Sequence, residues 1–190
     1  MTTIDNDIKQ AVEVMRKGGV ILYPTDTVWG IGCDATRSDA VRRIFEIKQR
    51  NDHKALITLV SNPDDLWRYL DDVPEVAFQL IEATVRPLTI VYDHGRNVAP
   101  ELLAPDGSIG IRVTNERVSA SLCRALRRPL VSTSANISGR PTPALFREIS
   151  PEIVKAVDYV MTSRRNDDTP AVPSQVIKLT DSGIVTILRK

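Results

Sequence analysis

Three cationic side chains stand close together in the sequence: Lys48, Arg50 and Lys54. Offsets of two and four residues bring three positive groups within reach of one polyanion. Two unit charges about 4 Å apart attract by about 4 kcal/mol at an effective dielectric of about 20. A triphosphate offers several such contacts, and a guanidinium can grip it bidentately. The same residues also suit a plainer role, because cations at a helix C-terminus complement its dipole. A second dense stretch is Ser132-Thr133-Ser134-Ala135-Asn136-Ile137-Ser138-Gly139. It leaves an apolar strand pattern, the place where α/β sheets present ligands. Its short neutral donors and acceptors suit phosphate, ribose or the polar ends of an amino acid. A turn rich in side-chain-to-backbone bonds uses the same residue types. Arg112 is the third feature, a charge inside the apolar run Ile109 to Val113.

Other chemistries lack their residues. No G-x-x-x-x-G-K-[ST] occurs, so a P-loop is excluded. Gly30-x-Gly32-x-x-Ala35 fits the dinucleotide fingerprint in spacing but does not directly follow its strand, and tight turning explains those glycines equally well. The histidines, His53 and His94, lie in polar contexts, and no Ser sits in a G-x-S-x-G elbow. Cys33, after Gly32 in the loop, reads as a small buried thiol rather than a nucleophile, and Cys33 with Cys123 are too few for a disulfide framework or a zinc site. An enzyme built from these residues works by positioning and charge stabilisation, without a covalent intermediate.

Such groups need a scaffold. Residues 6 to 17 carry Ile8, Val12 and Met15 at helical spacing, with Gly18-Gly19 as a stop. Val20 to Tyr23 is a short buried strand, followed by a loop over 24–32. Residues 39 to 48 form a helix with Ser38 as N-cap, which brings Lys48 to its end. Ala55 to Val60 is a strand, and Pro63 and Pro74 open two helices. Strands follow at Leu88 to Tyr92 and Ile109 to Val113. Asn115 caps a helix carrying Val118, Leu122 and Leu126, and Arg124, Arg127 and Arg128 fall on its surface. Leu130-Val131 is a strand, and Ser150-Pro151-Glu152 starts another helix. The last strands are Asp158 to Met161, Gln175 to Leu179 and Ile184 to Leu188. This irregular alternation predicts an α/β fold with a mixed sheet. The long helix-free stretches 24–34, 93–107, 132–143 and 163–173 read as binding loops.

Composition bounds the function. The 190 residues fit one domain, and 42% apolar with 26% charged residues argues against disorder. The N-terminus MTTIDNDIKQ has no apolar core, and no apolar run approaches the roughly 18 residues of a membrane span, so a soluble cytoplasmic protein is expected. The net charge is +1, yet Arg112 to Arg147 holds seven Arg and one acid, Glu116, whereas Asp64 to Asp106 holds nine acids and three Arg. That asymmetry favours a local anion site over general nucleic-acid affinity.

Taken in order, these motifs resemble the YrdC family of threonylcarbamoyl-adenylate synthases. Tyr23-Pro24-Thr25-Asp26-Thr27-Val28-Trp29-Gly30-Ile31-Gly32 is similar to that family's Y-P-T-[ED]-T-V-Y-G-L-G opening. Lys48-Gln49-Arg50 resembles its K-x-R element, with Lys54 four positions later. Pro87-Leu88-Thr89, Ser108 to Val113, the S-x-N signature within Ser132 to Gly139, Pro173-Ser174-Gln175-Val176-Ile177 and Ile187-Leu188-Arg189 follow in the same order. Asn51, Val85-Arg86 and Gln175 depart from the usual Pro, Pro-Gly and Thr. The resemblance implies a single domain over 1–190: a twisted mixed α/β sheet with flanking helices and a concave, positively lined face. It implies a short-form enzyme that joins L-threonine, bicarbonate and ATP into threonylcarbamoyl-AMP and releases pyrophosphate. The product feeds threonylcarbamoyladenosine synthesis on tRNA, through a downstream transfer complex. It further implies that Lys48 and Arg50 are catalytic, with Arg50 and Lys54 on the triphosphate. Ser108, Ser134, Asn136, Thr142 and Arg189 would contact the nucleotide. Thr27, Arg112, Ser132 and Ser174 would hold threonine, Arg112 pairing its carboxylate. Magnesium would ride on the ATP phosphates, without a dedicated metal cage. Two other readings stand beside it: a module binding tRNA or duplex RNA without catalysis, and a regulatory nucleotide-binding domain. Nine aromatic residues and the near-neutral charge count against the RNA reading.

Overall fold

The computed structural model describes residues 3–49, 56–169 and 173–190. The chain opens with α1 (Thr3–Arg16), which buries Ile8, Ala11, Val12 and Met15 along one stripe. β1 (Ile21–Tyr23) and β2 (Gly30–Gly32) follow, then α2 (Ser38–Ile47) and β3 (Ile57–Val60). A 3-10 turn at Pro63–Asp65 runs into α3 (Leu66–Tyr69), and α4 spans Glu75–Ala83. β4 (Leu88–Tyr92), β5 (Ile109–Val113), α5 (Arg117–Leu126) and β6 (Leu130–Ser134) make the middle of the chain. α6 (Pro151–Ala156), β7 (Tyr159–Val160), β8 (Gln175–Leu179) and β9 (Val185–Arg189) close it.

The described strands form one mixed sheet in the order β7-β1-β2-β6-β3-β5-β4-β8-β9. β1/β7, β3/β5 and β4/β8 are parallel pairs, and the other neighbours are antiparallel. The expected α/β class with a mixed sheet and flanking helices is therefore the observed one. Side chains alternate between faces along each strand, and that alternation builds the core. On one face, Leu22, Ile31 and Val131 pack with Ala40, Val41 and Ile44 of α2. Farther along it, Val60, Ile90 and Ile111 pack with Leu66 and Tyr69 of α3 and Ala77 of α4. On the opposite face, Tyr23, Leu59 and Leu130 pack with Met15 of α1 and Val118 and Leu122 of α5. The register puts Gly30, Ser134, Ser132, Ile57, Gly110 and Arg112 on this second face too, through the pairs Tyr23↔Gly30, Gly30↔Ser134, Ile57↔Ser132, Ile57↔Gly110 and Leu59↔Arg112. The α1 and α5 cluster does not reach all of them, and the remaining patch is the floor of a hollow. Among the described residues no helix is long and apolar enough to cross a membrane.

Some local expectations shift. Gly30–Gly32 is not loop but strand β2, clamped between β1 and β6. Leu130-Val131 extends to Ser134, so the hydroxyl run begins inside a strand. Ser38 does not cap α2: Arg37 occupies that position, and the Ser38 hydroxyl donates instead to Glu101 Oε2 at 2.6 Å. Glu116, not Asn115, caps α5, because its longer side chain reaches the N–H groups of Val118 (3.0 Å) and Ser119 (2.8 Å). Arg124 lies on α5, whereas Arg127 ends it in a left-handed conformation. Pro63 opens the short 3-10 turn, and Pro74 sits at the N-cap of α4. Ser150 caps α6 as expected.

Candidate active site

A hollow of about 200 Å³ opens over the second face of the sheet. Thr27, Arg112, Ser132, Ser134, Thr142, Ser174 and Arg189 all line it, together with Val28, Gly30, Leu56, Ile57, Thr133 and Pro173. Segments far apart in the chain meet here, and seven residues singled out from the sequence share one cavity.

Lys48 joins the helix end to the hydroxyl turn. It caps the C-terminus of α2 and is buried. Its Nζ donates to the carbonyl oxygens of Ser134 (2.6 Å) and Asn136 (2.8 Å) and lies 3.4 Å from Asn136 Oδ1. Its own carbonyl accepts from the Ser138 N–H at 2.9 Å. The turn is fixed from within as well. The Ser134 hydroxyl donates to Asn136 Oδ1 at 2.5 Å, and Asn136 Nδ2 donates to the Arg140 carbonyl at 2.7 Å. Neither Lys48 nor Asn136 lines the hollow itself; the buried ammonium lies behind it, on the carbonyl of the lining residue Ser134. Gln49, next in the chain, turns away with φ 50°, a left-handed conformation that a non-glycine residue adopts at a cost of about 1 kcal/mol.

Arg112 is buried in the floor, with 2% of its side chain exposed, and pairs with Asp26 (Nη2 to Oδ1, 2.9 Å). Burial pushes the Asp26 carboxyl up, and the Arg112 charge opposes that push. The loop bearing Asp26 and Thr27 is locally tied. The Thr25 hydroxyl accepts from the Thr27 N–H (2.9 Å) and donates to the Val28 carbonyl (2.7 Å). With its single proton so used, Thr25 Oγ1 is the acceptor in its 3.0 Å contact with Thr27 Oγ1. Tyr23 beneath the loop is fully buried, which pushes its phenol far up and keeps it neutral.

The far wall belongs to the last two strands. The buried Ser174 hydroxyl meets Thr89 Oγ1 at 3.0 Å, and Arg189 Nε and Nη2 donate to the Ser174 carbonyl at 3.0 and 2.9 Å. Ser108 is not among the lining residues. It precedes β5 at the end away from Arg112, and its hydroxyl donates to Asp106 at 2.6 Å. Arg50 and Lys54 lie outside the described residues. Sequence spacing missed Asp26 as the partner of Arg112, although an acid within a Thr-rich turn was the available signal. It also missed Thr89 and the apolar wall at Leu56 and Ile57.

A family model named Sua5_yciO_yrdC, described as "Telomere recombination", matches residues 13–190. A protein named threonylcarbamoyl-AMP synthase from Pseudoalteromonas translucida is 35% identical over 155 residues, 80% of this chain and 83% of that one. The crystal structure of E. coli YciO superposes with a TM-score of 0.82 at 33% identity, covering 96% of this chain and 88% of that chain. P. abyssi Sua5 complexed with L-threonine superposes with a TM-score of 0.79 at 28% identity, over 90% of this chain; the match spans 50% of the length of that protein.

Proposed function

Since the chain belongs to the Sua5/YciO/YrdC family, we propose that it is a threonylcarbamoyl-AMP synthase, a nucleotidyltransferase that joins L-threonine, bicarbonate and ATP and releases pyrophosphate. The observation that carries this reading is that the buried Lys48 ties down the turn at Ser134 and Asn136, while Ser134 and the buried Arg112 line one hydroxyl-rich hollow. Threonine's amine attacks the carbon of bicarbonate, an N–C bond forms, and water leaves to give the carbamate. The carbamate oxygen then attacks the α-phosphorus of ATP, and negative charge grows on the phosphoryl oxygens and the leaving pyrophosphate. Cations held in a partly dry site stabilise that charge most effectively. Lys48, with Arg50 and Lys54, supplies them. Ser134, Asn136, Thr142 and Arg189 hold the nucleotide, with Ser108 reached from beyond the hollow. Thr27, Ser132 and Ser174 surround threonine, and Arg112 takes its carboxylate.

Among the described residues no group of three or more His, Cys, Asp or Glu side chains is arranged to hold a metal ion. Magnesium accordingly arrives on the ATP phosphates, where it would neutralise charge, and no protein cage is assigned to it. The product then passes to a transferase that modifies tRNA in the cytoplasm. The test supplies ATP, L-threonine and bicarbonate, follows pyrophosphate, and captures the mixed anhydride quickly by mass spectrometry. Release that needs both threonine and bicarbonate is expected. Equal turnover without threonine rejects the reading.

A further inference from the structure

Asp26 and Arg112 are joined by charge, yet their geometry leaves the pair incomplete. Asp26 Oδ1 lies 2.9 Å from Arg112 Nη2. Nevertheless Asp26 Oδ1 and Arg112 Nε are both buried side-chain atoms without a hydrogen-bond partner. Buried donors are nearly always satisfied, because an unmade hydrogen bond there forfeits the donor's hydration. The Asp26 contact leaves the guanidinium short of a full set of acceptors, and a carboxylate is an acceptor it pairs with well.

The two side chains also address different spaces. Arg112 lines the hollow that carries Thr27, Ser132 and Ser174. Asp26 does not line that hollow. It lines a neighbouring one of about 270 Å³, together with Asn115 and Glu116. Asp26 therefore meets the guanidinium from outside the first hollow and leaves the inner side of Arg112 to a ligand. The loop keeps Asp26 in place. Thr25 Oγ1 bridges to the Thr27 N–H and the Val28 carbonyl, and Arg164 Nη1 donates to the Thr25 carbonyl at 2.9 Å. Glu116, the nearby acid, is engaged elsewhere, by Arg164 at 3.3 Å and by the first N–H groups of α5. It does not compete for Arg112.

We propose that Asp26 is a positioning residue for amino-acid binding: it holds the Arg112 guanidinium from outside the hollow, so that the part of Arg112 lining the hollow meets the α-carboxylate of the substrate. This rests on the reading of the hollow as the threonine site. The Asp26→Ala and isosteric Asp26→Asn variants of the full chain test it, with folding checked by thermal melting. Pyrophosphate release gives KM for L-threonine, KM for ATP and kcat, and calorimetry gives L-threonine binding directly. Loss of one charged partner predicts an L-threonine KM and Kd raised about tenfold or more in Asp26→Ala. Asp26→Asn should lose less, because it removes the charge but keeps the shape that seats the guanidinium. ATP KM should stay within about twofold and kcat at saturating threonine should be largely kept, since the nucleotide contacts are untouched. If Asp26→Ala does not fold, Asp26→Asn decides. A threonine KM equal to wild type in folded variants overturns the role of Asp26. So does a fall in kcat alone, or an equal loss of threonine and ATP affinity. A wild-type chain that neither binds nor consumes L-threonine overturns the functional reading and this role with it.

Discussion

Lys48 has two tasks that pull in different directions. Its ammonium tethers the carbonyls of Ser134 and Asn136, and in the proposed reaction it also meets growing phosphoryl charge. Lys48→Ala should therefore lower threonine-dependent pyrophosphate release by about 100-fold or more. It should also lower stability by about 1–3 kcal/mol, because two half-buried carbonyls lose their donor. Stopped assays and urea melts separate the two effects; full activity in a folded Lys48→Ala protein would remove Lys48 from the chemistry. Which residue types matter was legible in the chain itself. Lys48 stands at the end of an amphipathic helix, Asn136 follows a strand of hydroxyls, and Arg112 interrupts an apolar strand. Asp26 was not legible as a partner of Arg112. That pairing depends on where the Thr25–Val28 loop lies against β5, and local spacing holds no record of it.

The strands and caps tell a similar story. Strong periodic segments such as α1, β4, β5 and β8 were readable because burial on one face writes itself into the sequence. β2 was not, because Gly-Ile-Gly has little strand propensity of its own. Its glycines answer to neighbours instead. A Cβ on Gly32 would lie 2.5 Å from the Val131 carbonyl oxygen and 2.7 Å from the Tyr23 ring. Gly32→Ala should cost about 1–3 kcal/mol, read as a lowered urea midpoint with unchanged slope. A midpoint equal to wild type would show that β1 and β6 separate freely. The N-terminal helix has its own anchor in Asp7. Burial would raise its carboxyl pKa, but the Ser163 and Tyr159 hydroxyls and the N–H groups of Thr162 and Ser163 outweigh that and hold it low. A depressed carboxylate contributes stability that is complete above its unfolded pKa of about 4 and is lost as pH falls through the folded value. The stability gap between wild type and Asp7→Asn should accordingly be widest at neutral pH and narrow as the medium is acidified below the unfolded pKa. A gap independent of pH would assign the anchor to shape instead of charge.

Two buried thiols report on the cooperativity of the entire chain. Cys33 packs in the α2 cluster and Cys123 in the α1/α5 cluster, on opposite faces of the sheet. Burial pushes both thiols up, so both should resist alkylation in the native protein. In rising urea, with each labelled peptide quantified by mass spectrometry, the two should become reactive at one shared midpoint if 1–190 unfolds as a single domain. Separate midpoints would divide it. The same sheet order ties the hollow to the direction of protein synthesis. Its rim begins at Thr27 and is finished by Arg189, which reaches across from β9 to clasp Ser174. A nascent chain on the ribosome can lay down nearly every helix and strand while that clasp is still untranslated. In the proposed reaction, ligand capture is thus a late event of synthesis, withheld until β9 has been made and Arg189 can reach Ser174.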